Sequence, residues 1–353
     1  MTSEILGAVA IQAIVMSGLM IALPAKSAAE SSTEFVWTDA PFPRAHASTI
    51  VESSDGTLIS AWFGGSGEGN ADVGVWTASK SPGSEWTPPL EIFKEPKQPA
   101  WNPVLFRDSK DDIWLFFKIG PNPMSWTGAY MKSTDSGKTW TDVVWLPAGM
   151  GGPVRNKPIT LANGSILAGT SIESYGAWSS WMEISEDGGE TWKKYGPILW
   201  PTMEENRLGS IQPTLLETGP NVVRAFFRTR GMGKIATALS KDGGMTWSEL
   251  SLTDLDHPGA GIDAVRMNDG RCVLIYNPAT RGRNPLAAAV SHDGGETWEE
   301  FLEIERLVKG ERGELSYPNV IQSANGDIHI SYTWKRQRIR HATIPLADVP
   351  VAP

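Results

Sequence analysis

Short apolar runs, each bounded by turn residues, follow one another along most of the chain. Six places show two such runs joined by Asp-Gly, Asn-Gly or a close variant: SSDGTLISAWF, DSKDDIWLFF, LANGSILAG, LETGPNVVRAFF, MNDGRCVLIY and SANGDIHISY. Asp or Asn before Gly, between alternating hydrophobic residues, is the strongest short-range signal for a β-hairpin. The pattern therefore predicts an all-β chain that contains six hairpin units.

A second motif recurs with the same period. The pattern Ser-x-Asp-x-Gly-x-Thr-Trp occurs at 133–140, 185–192, 240–247 and 291–298, and a degenerate copy, SKSPGSEW, ends at Trp86. The tryptophans of these copies lie 51 to 55 residues apart. A unit of about 50 residues with four short strands is the size of one propeller blade. The sequence predicts a six-bladed β-propeller over residues 35–348, with the segment FVWTD (35–39) closing the last blade.

Composition narrows the range of partners and cofactors. Gly 36, Pro 25 and Trp 16 fit a turn-rich β protein, and the net charge of -9 argues against a nucleic-acid partner. The single cysteine, Cys272, lies in the apolar run CVLIY, so we expect a buried hydrophobic residue. No Cys/His spacing is typical of a zinc site, and neither a metal nor a cofactor is expected.

The N-terminus predicts a targeting segment. Residues 5–30 read ILGAVAIQAIVMSGLMIALPAKSAAE, an apolar stretch that ends in small residues. We interpret residues 1–30 as a signal peptide, and the alternative is an uncleaved membrane anchor. Both interpretations place the remainder outside the cytoplasm, secreted or periplasmic, with no membrane contact beyond this segment.

Polar residues recur where each innermost strand is expected to begin. Aligning HASTIV, NPVLF, KPITL, QPTLL, DAVRM and YPNVI places one polar side chain at the start of each run, 51 to 56 residues apart. Because the innermost strand of every blade lines the central channel, these positions predict a ring around one mouth. The alternative is that the ring only binds water and its own members. Its residues are His46, Asn102, Lys157, Gln212, Asp263 and Tyr317.

Basic residues are expected at the same mouth. Lys118 and Arg228 follow strands that return to it, and Arg283 precedes another such strand. In a chain of net charge -9, converging cations indicate an anion site, most simply for a carboxylate. Isolated surface salt bridges are the alternative.

These motifs resemble the sialidase superfamily, in particular its Asp-box (BNR-repeat) sialidase-like branch. The resemblance covers about residues 40–345, and other matching stretches are EGNADVGVW, GPVRNKPI, SIQPTLL, SYPNVIQ and YTWKR. It implies that the Asp-box hairpins are structural. It also implies that Tyr317 is the nucleophile, that Arg228 and Arg283 are two arginines of a carboxylate-binding triad, and that Asp72 is the acid/base, with Glu68 as a nearby substitute.

Two positions depart from the sialidase pattern. His46 occupies the place of the first triad arginine, although Arg44 lies nearby, and Gln212 occupies the place of the glutamate that activates the tyrosine. A glutamine cannot take a proton.

Three functions therefore remain open. The first is an exported glycosidase, exo-acting rather than endo-acting, for glycans with a carboxylate-bearing sugar. The second is a polysaccharide lyase that uses His, Tyr and Arg on uronic acids, and the third is a non-catalytic carbohydrate-binding propeller. For the glycosidase, the predicted catalytic residues are Tyr317, His46, Asp72 and Gln212, and the predicted substrate-binding residues are Arg228, Arg283, Lys157, Asp263, Asn102 and Lys118.

Overall fold

The computed structural model describes residue 1 and residues 31–352. Apart from residue 1, the predicted signal peptide lies outside the described residues. Within the described part of the chain, no helix has the length and apolar character needed to cross a membrane.

The chain folds into six four-stranded antiparallel sheets, which confirms the predicted six-bladed β-propeller. The strand β1 (Ser32–Phe35) belongs to the last sheet, and the other strands follow in chain order. Blade I contains β2 (Arg44–Glu52), β3 (Leu58–Gly65), β4 (Gly74–Lys80) and β5 (Leu90–Phe93). Blade II contains β6 (Ala100–Arg107), β7 (Ile113–Ile119), β8 (Thr127–Ser133) and β9 (Val144–Trp145). Blade III contains β10 (Ile159–Thr160), β11 (Ile166–Ser174), β12 (Ala177–Ser185) and β13 (Lys193–Ile198).

The second half of the ring repeats this order. Blade IV contains β14 (Ser210–Gly219), β15 (Val222–Thr229), β16 (Lys234–Ser240) and β17 (Ser251–Asp256). Blade V contains β18 (Asp263–Arg266), β19 (Cys272–Tyr276), β20 (Leu286–Ser291) and β21 (Glu299–Glu305). Blade VI contains β22 (Leu315–Gln322), β23 (Ile328–Trp334), β24 (Arg338–Ile344) and β1. A short helix, α1 (Met203–Leu208), connects blades III and IV, and a 3₁₀ turn spans Leu346–Asp348.

The N-terminal strand closes the ring. β1 pairs antiparallel with β24, from Ser32 opposite Thr343 to Phe35 opposite Arg340. The closing strand therefore precedes the predicted segment 35–39 and shares only Phe35 with it. The residues after Phe35 lie outside this strand. Trp37 packs into the core, where it stacks on buried Trp62 at a ring-centroid distance of 4.3 Å.

The Asp-box hairpins are structural units. In the copy of blade V, one carboxylate oxygen of Asp293 accepts the hydroxyl of Ser291 at 2.8 Å and the amide of Thr297 at 3.0 Å. The other oxygen accepts the Thr297 hydroxyl at 2.6 Å. These bonds hold the pKa of Asp293 down at about 2, because they stabilise the charged form against the opposing effect of burial.

Apolar side chains fill the spaces between neighbouring blades. Between blades I and II, for example, Ile59 and Val75 pack with Leu105, Leu115 and Phe117, all almost fully buried. Burial of apolar side chains is the main stabilising contribution in such a layer. These layers fix the blades relative to one another, so the innermost strands present their first residues at defined positions around the axis.

Four innermost strands share a β-bulge near the mouth. The bulge leaves one non-glycine residue in the left-handed region, where few such residues occur, and redirects its side chain. The four residues and their φ angles are Ala47 (53°), Asn102 (41°), Gln212 (56°) and Tyr317 (53°).

This bulge corrects the predicted ring. His46 precedes the bulged position and pairs with Phe63, as Trp101 pairs with Lys118 in blade II, so Ala47 is the equivalent of Tyr317. The predicted alignment is one residue out in blade I because Ser48 follows the bulged residue there, whereas a proline follows it and marks its position in blades II, IV and VI.

The register also differs in blades III and V. At the turn that closes each innermost hairpin, a backbone amide donates to a carbonyl across the turn. The donor is Leu161 in blade III, Met267 in blade V and Ser323 in blade VI. Tyr317 lies six residues before Ser323, and the same spacing selects Arg155 and Gly261 in the other two blades. Lys157 and Asp263 therefore lie two residues deeper along the channel than predicted.

Candidate functional site

Tyr317 lies at the centre of a polar cluster at the mouth. Its ring contacts His46 at a centroid distance of 4.2 Å, and its hydroxyl oxygen accepts an N–H of Arg228 at 2.8 Å. The same nitrogen of Arg228 donates to Oε1 of Gln212 at 3.3 Å, and Nε donates to the carbonyl of Gly259 at 2.6 Å. The structure thus brings together four residues predicted from the sequence: Tyr317, His46, Gln212 and Arg228.

Three guanidinium groups surround the Tyr317 ring. The distances from the guanidinium carbon to the ring centroid are 5.1 Å for Arg155, 5.5 Å for Arg283 and 5.9 Å for Arg228. Arg283 also pairs with Glu314 at 3.2 Å. Positive charge is therefore concentrated on one face of the channel mouth, although the chain as a whole is acidic.

Arg155 is the functional candidate that the sequence analysis missed. It is fully buried, and Nη2 donates to the carbonyl of Pro318 at 2.7 Å, whereas Nε and Nη1 have no hydrogen-bond partner among the described residues. Burial lowers its pKa to about 10, partly offset by Asp263 and Tyr317, so the group stays charged at neutral pH. Its spacing from the hairpin turn, equal to that of Tyr317, is the signal that would have found it.

Two buried histidines lie against this positive charge. Burial lowers the pKa of His46 well below its usual value, and Arg336, Arg283, Arg155 and Arg228 add to the effect. His46 is therefore neutral, with Nδ1 2.9 Å from the hydroxyl of Thr333.

His257 is fully buried near Arg228 and Arg283. Burial and these two cations lower its pKa to about 3. Neither ring nitrogen of His257 has a hydrogen-bond partner within residues 31–352.

A small cavity of about 130 Å³ adjoins His46. Arg44 and Arg336 line it, together with Glu68 of the loop between β3 and β4. Glu68 and Arg336 form an ion pair. Arg44, rather than His46, therefore supplies a cation on this side of the mouth.

Asp72 belongs to the same loop but faces solvent. Its two carboxylate oxygens accept the backbone amide and the hydroxyl of Ser66 at 2.9 and 2.7 Å. These hydrogen bonds lower the pKa of Asp72, so the group is a carboxylate at neutral pH. In the described contacts it meets none of the residues around Tyr317.

Lys157 and Asp263 lie within the channel. Nζ of Lys157 is 2.7 Å from Oδ2 of Asp263, and this carboxylate also accepts Asn319 at 2.8 Å and Thr214 at 2.8 Å. The network crosslinks blades III, IV, V and VI below the mouth. The structure thus places these two predicted ligands in the filling of the channel and not in the cluster around Tyr317, because the register is deeper than the alignment predicts.

The remaining predicted ligands make no hydrogen bond to that cluster within the described residues. Asn102 occupies the bulged position of blade II and is largely buried. Lys118 is fully buried and donates to the carbonyl of Pro153 at 2.9 Å. Burial lowers the pKa of Lys118 to about 7, opposed by the charge of Glu183.

Comparison with known proteins agrees with this architecture. The family described as BNR repeat-like domain matches residues 56–330. A sialidase of Bacteroides fragilis is 31% identical over 186 residues, which cover 47% of this chain and 32% of that protein. The chain thus spans about a third of that relative's length.

Solved structures share the fold at lower identity. A Dyadobacter fermentans protein of unknown function has a TM-score of 0.72 at 21% identity, covering 89% of this chain and 98% of that one. The Hadza microbial sialidase Hz136 has a TM-score of 0.70 at 19% identity, covering 86% and 66%. An intramolecular trans-sialidase of Ruminococcus gnavus has a TM-score of 0.67 at 15% identity, covering 88% and 96%.

None of these named relatives supports the lyase alternative. The match to the family extends over most of the chain, the fold is a six-bladed propeller, and the named relatives include sialidases. The chain therefore belongs to the BNR repeat-like family of the sialidase superfamily.

Proposed function

We propose that the protein is an exported glycoside hydrolase that removes a terminal carboxylate-bearing sugar, of the sialic-acid type, from glycans. The observation that carries this proposal is the group of three guanidiniums within 5.1 to 5.9 Å of the Tyr317 ring. Arginine recognises carboxylates through paired N–H donors, and sialidases use a tyrosine where most glycosidases use a carboxylate.

Two of these arginines have donors to offer a substrate. Arg155 has two N–H groups without a partner, and Arg228 forms no ion pair within the described chain. A substrate carboxylate would supply the missing acceptor. Direct contact with Arg155 requires the side chains that cover its guanidinium to move, since it is buried in this structure.

The groups around Tyr317 suit chemistry at an anomeric carbon. The N–H of Arg228 stabilises the negative charge that the tyrosine oxygen carries after its proton has left and before it bonds to the anomeric carbon. The His46 ring contacts the tyrosine ring, so His46 is the group we assign to accept the phenol proton, which Gln212 cannot take. Burial and the neighbouring arginines lower the pKa of His46, so it holds that proton only transiently. The buried network of Lys157 and Asp263 fills the channel below, which favours entry of a chain end from one side only.

The direct test is hydrolysis of 4-methylumbelliferyl N-acetylneuraminide and of sialyllactose by the full-length protein. We expect release of the sugar by the wild type and loss of at least about 10²-fold in rate for Tyr317→Phe. Tyr195→Phe is the matched control, because Tyr195 belongs to β13, the outermost strand of blade III, and should retain activity. Sugar binding without release of product from either substrate would favour the non-catalytic propeller instead.

A further inference from the structure

The carboxyl groups on the mouth-side loops and hairpins around Tyr317 include Glu68, Asp72, Glu173 and Glu314. Three of them are already bonded within the described structure: Glu68 to Arg336, Asp72 to Ser66, and Glu314 to Arg283 and Ser316. Glu173 is the exception, since residues 31–352 offer it neither a hydrogen bond nor an ion pair. A half-buried carboxyl group without a partner in the protein is available to a ligand.

Glu173 lies on a hairpin that projects at the mouth. The innermost strand of blade III runs away from the mouth and β11 returns to it, so the turn between β11 and β12 is on the mouth side. Glu173 is paired with Trp178 across this hairpin, and the Trp178 ring lies 5.1 Å from the guanidinium carbon of Arg228. Arg228 in turn bonds to Tyr317, which connects Glu173 to the proposed reacting centre.

We infer that Glu173 is the proton donor to the leaving-group oxygen, an inference that rests on the proposed glycosidase function. Tyr317 forms a bond to the anomeric carbon while the bond to the glycosidic oxygen breaks; the electron pair of the broken bond goes to the glycosidic oxygen, which takes the proton of Glu173. Water then attacks the anomeric carbon, its proton goes to the Glu173 carboxylate, and the bond to Tyr317 breaks with its electron pair returning to the tyrosine oxygen. The tyrosine oxygen recovers its proton from His46, so the free sugar and the leaving alcohol are the only products.

The environments of Glu173 and Asp72 favour opposite protonation states. Burial raises the pKa of Glu173, opposed by Arg228 and assisted by the charge of Glu68. Hydrogen bonds from Ser66 lower the pKa of exposed Asp72. A general acid must hold its proton near the working pH, which Glu173 does better than the residue predicted from the family pattern.

The test uses the dependence on the leaving group. A departing sugar alcohol needs a proton, whereas 4-methylumbelliferone leaves readily without one, so loss of a general acid slows only the first reaction strongly. For Glu173→Gln we expect a fall of about 10²-fold or more with sialyllactose and less than about 5-fold with the methylumbelliferyl glycoside. Glu173→Ala should give the same contrast, and Glu186→Gln, an exposed residue of the same blade, should match the wild type.

The outcomes separate this inference from the proposed function. Equal losses on both substrates, or no loss, would overturn the role of Glu173 and leave the glycosidase intact. The leaving-group contrast in Asp72→Asn but not in Glu173→Gln would assign the acid to Asp72 instead. A wild type that cleaves neither substrate would overturn both proposals, and thermal unfolding of each variant verifies that it folds.

Discussion

Protonation of His329 at acidic pH should destabilise the closed ring of blades. Its Nδ1 lies 2.9 Å from Nε2 of His341, whose Nδ1 lies 2.8 Å from Oε1 of Glu34. The imidazoles are nearly parallel, with an interplanar angle of 8°. Because Glu34 belongs to β1 and the histidines to β23 and β24, this chain of contacts joins the closing strand to the rest of blade VI. Protonation of His329 would add a positive charge beside His341 and weaken the closure.

The expected loss of unfolding free energy follows from the pKa of His329. Burial, together with the charge of neighbouring His341, lowers it from 6.5 to about 4. The unfolded chain therefore takes up a proton at higher pH than the folded chain, and stability is lost as the pH falls from about 6.5 towards 4. Since one pKa unit corresponds to about 1.4 kcal/mol, we expect a loss of about 2 kcal/mol between pH 7 and pH 5.

The assay is urea unfolding followed by tryptophan fluorescence at both pH values. His46 and His257 contribute acid sensitivity of the same sign, so the comparison is between variants and not with an absolute value. His329→Gln should lose about 2 kcal/mol less than the wild type on acidification. His292→Gln, at an exposed Asp-box position, should behave as the wild type. An identical pH dependence in His329→Gln and the wild type would refute the reasoning.

Three further substitutions test the site and its support. Gly261→Ala should lower activity several-fold without unfolding the protein, because its new Cβ would lie 3.3 Å from the Tyr317 ring; unchanged kinetics would contradict this. Lys157→Met should cost about 3 kcal/mol in urea unfolding, since it removes the cation paired with the buried carboxylate of Asp263, and adding Asp263→Asn, which removes the buried charge and keeps an acceptor, should recover part of the loss. Asp293→Ala should lower the thermal unfolding temperature but leave kcat unchanged, because its bonds hold only the Asp-box turn.

The repeat period is enough to predict the fold, whereas the register of the innermost strands is known only from the structure. The six hairpins, which recur with the period of the five Asp-box tryptophans, are sufficient to predict six blades, because each copy marks the same hairpin. The position of His46 is misjudged because Ser48, and not a proline, follows the bulged residue Ala47, so the signal that marks the other three strands is missing in blade I. Arg155 escapes the alignment because the innermost strand of blade III is only two residues long, Ile159–Thr160, and leaves little pattern to align.

Gln212, which replaces the glutamate of the sialidase pattern, is consistent with the arrangement of charges at the mouth. Its Oε1 lies 3.3 Å from the Arg228 nitrogen that also bonds to Tyr317. A glutamate there would pair with Arg228 and compete with a substrate carboxylate, whereas the neutral amide holds the guanidinium without neutralising it. Glu314 and Glu68 already pair with Arg283 and Arg336. In the described chain, Arg155 and Arg228 are thus the mouth arginines beside Tyr317 that keep their full charge for an anionic sugar.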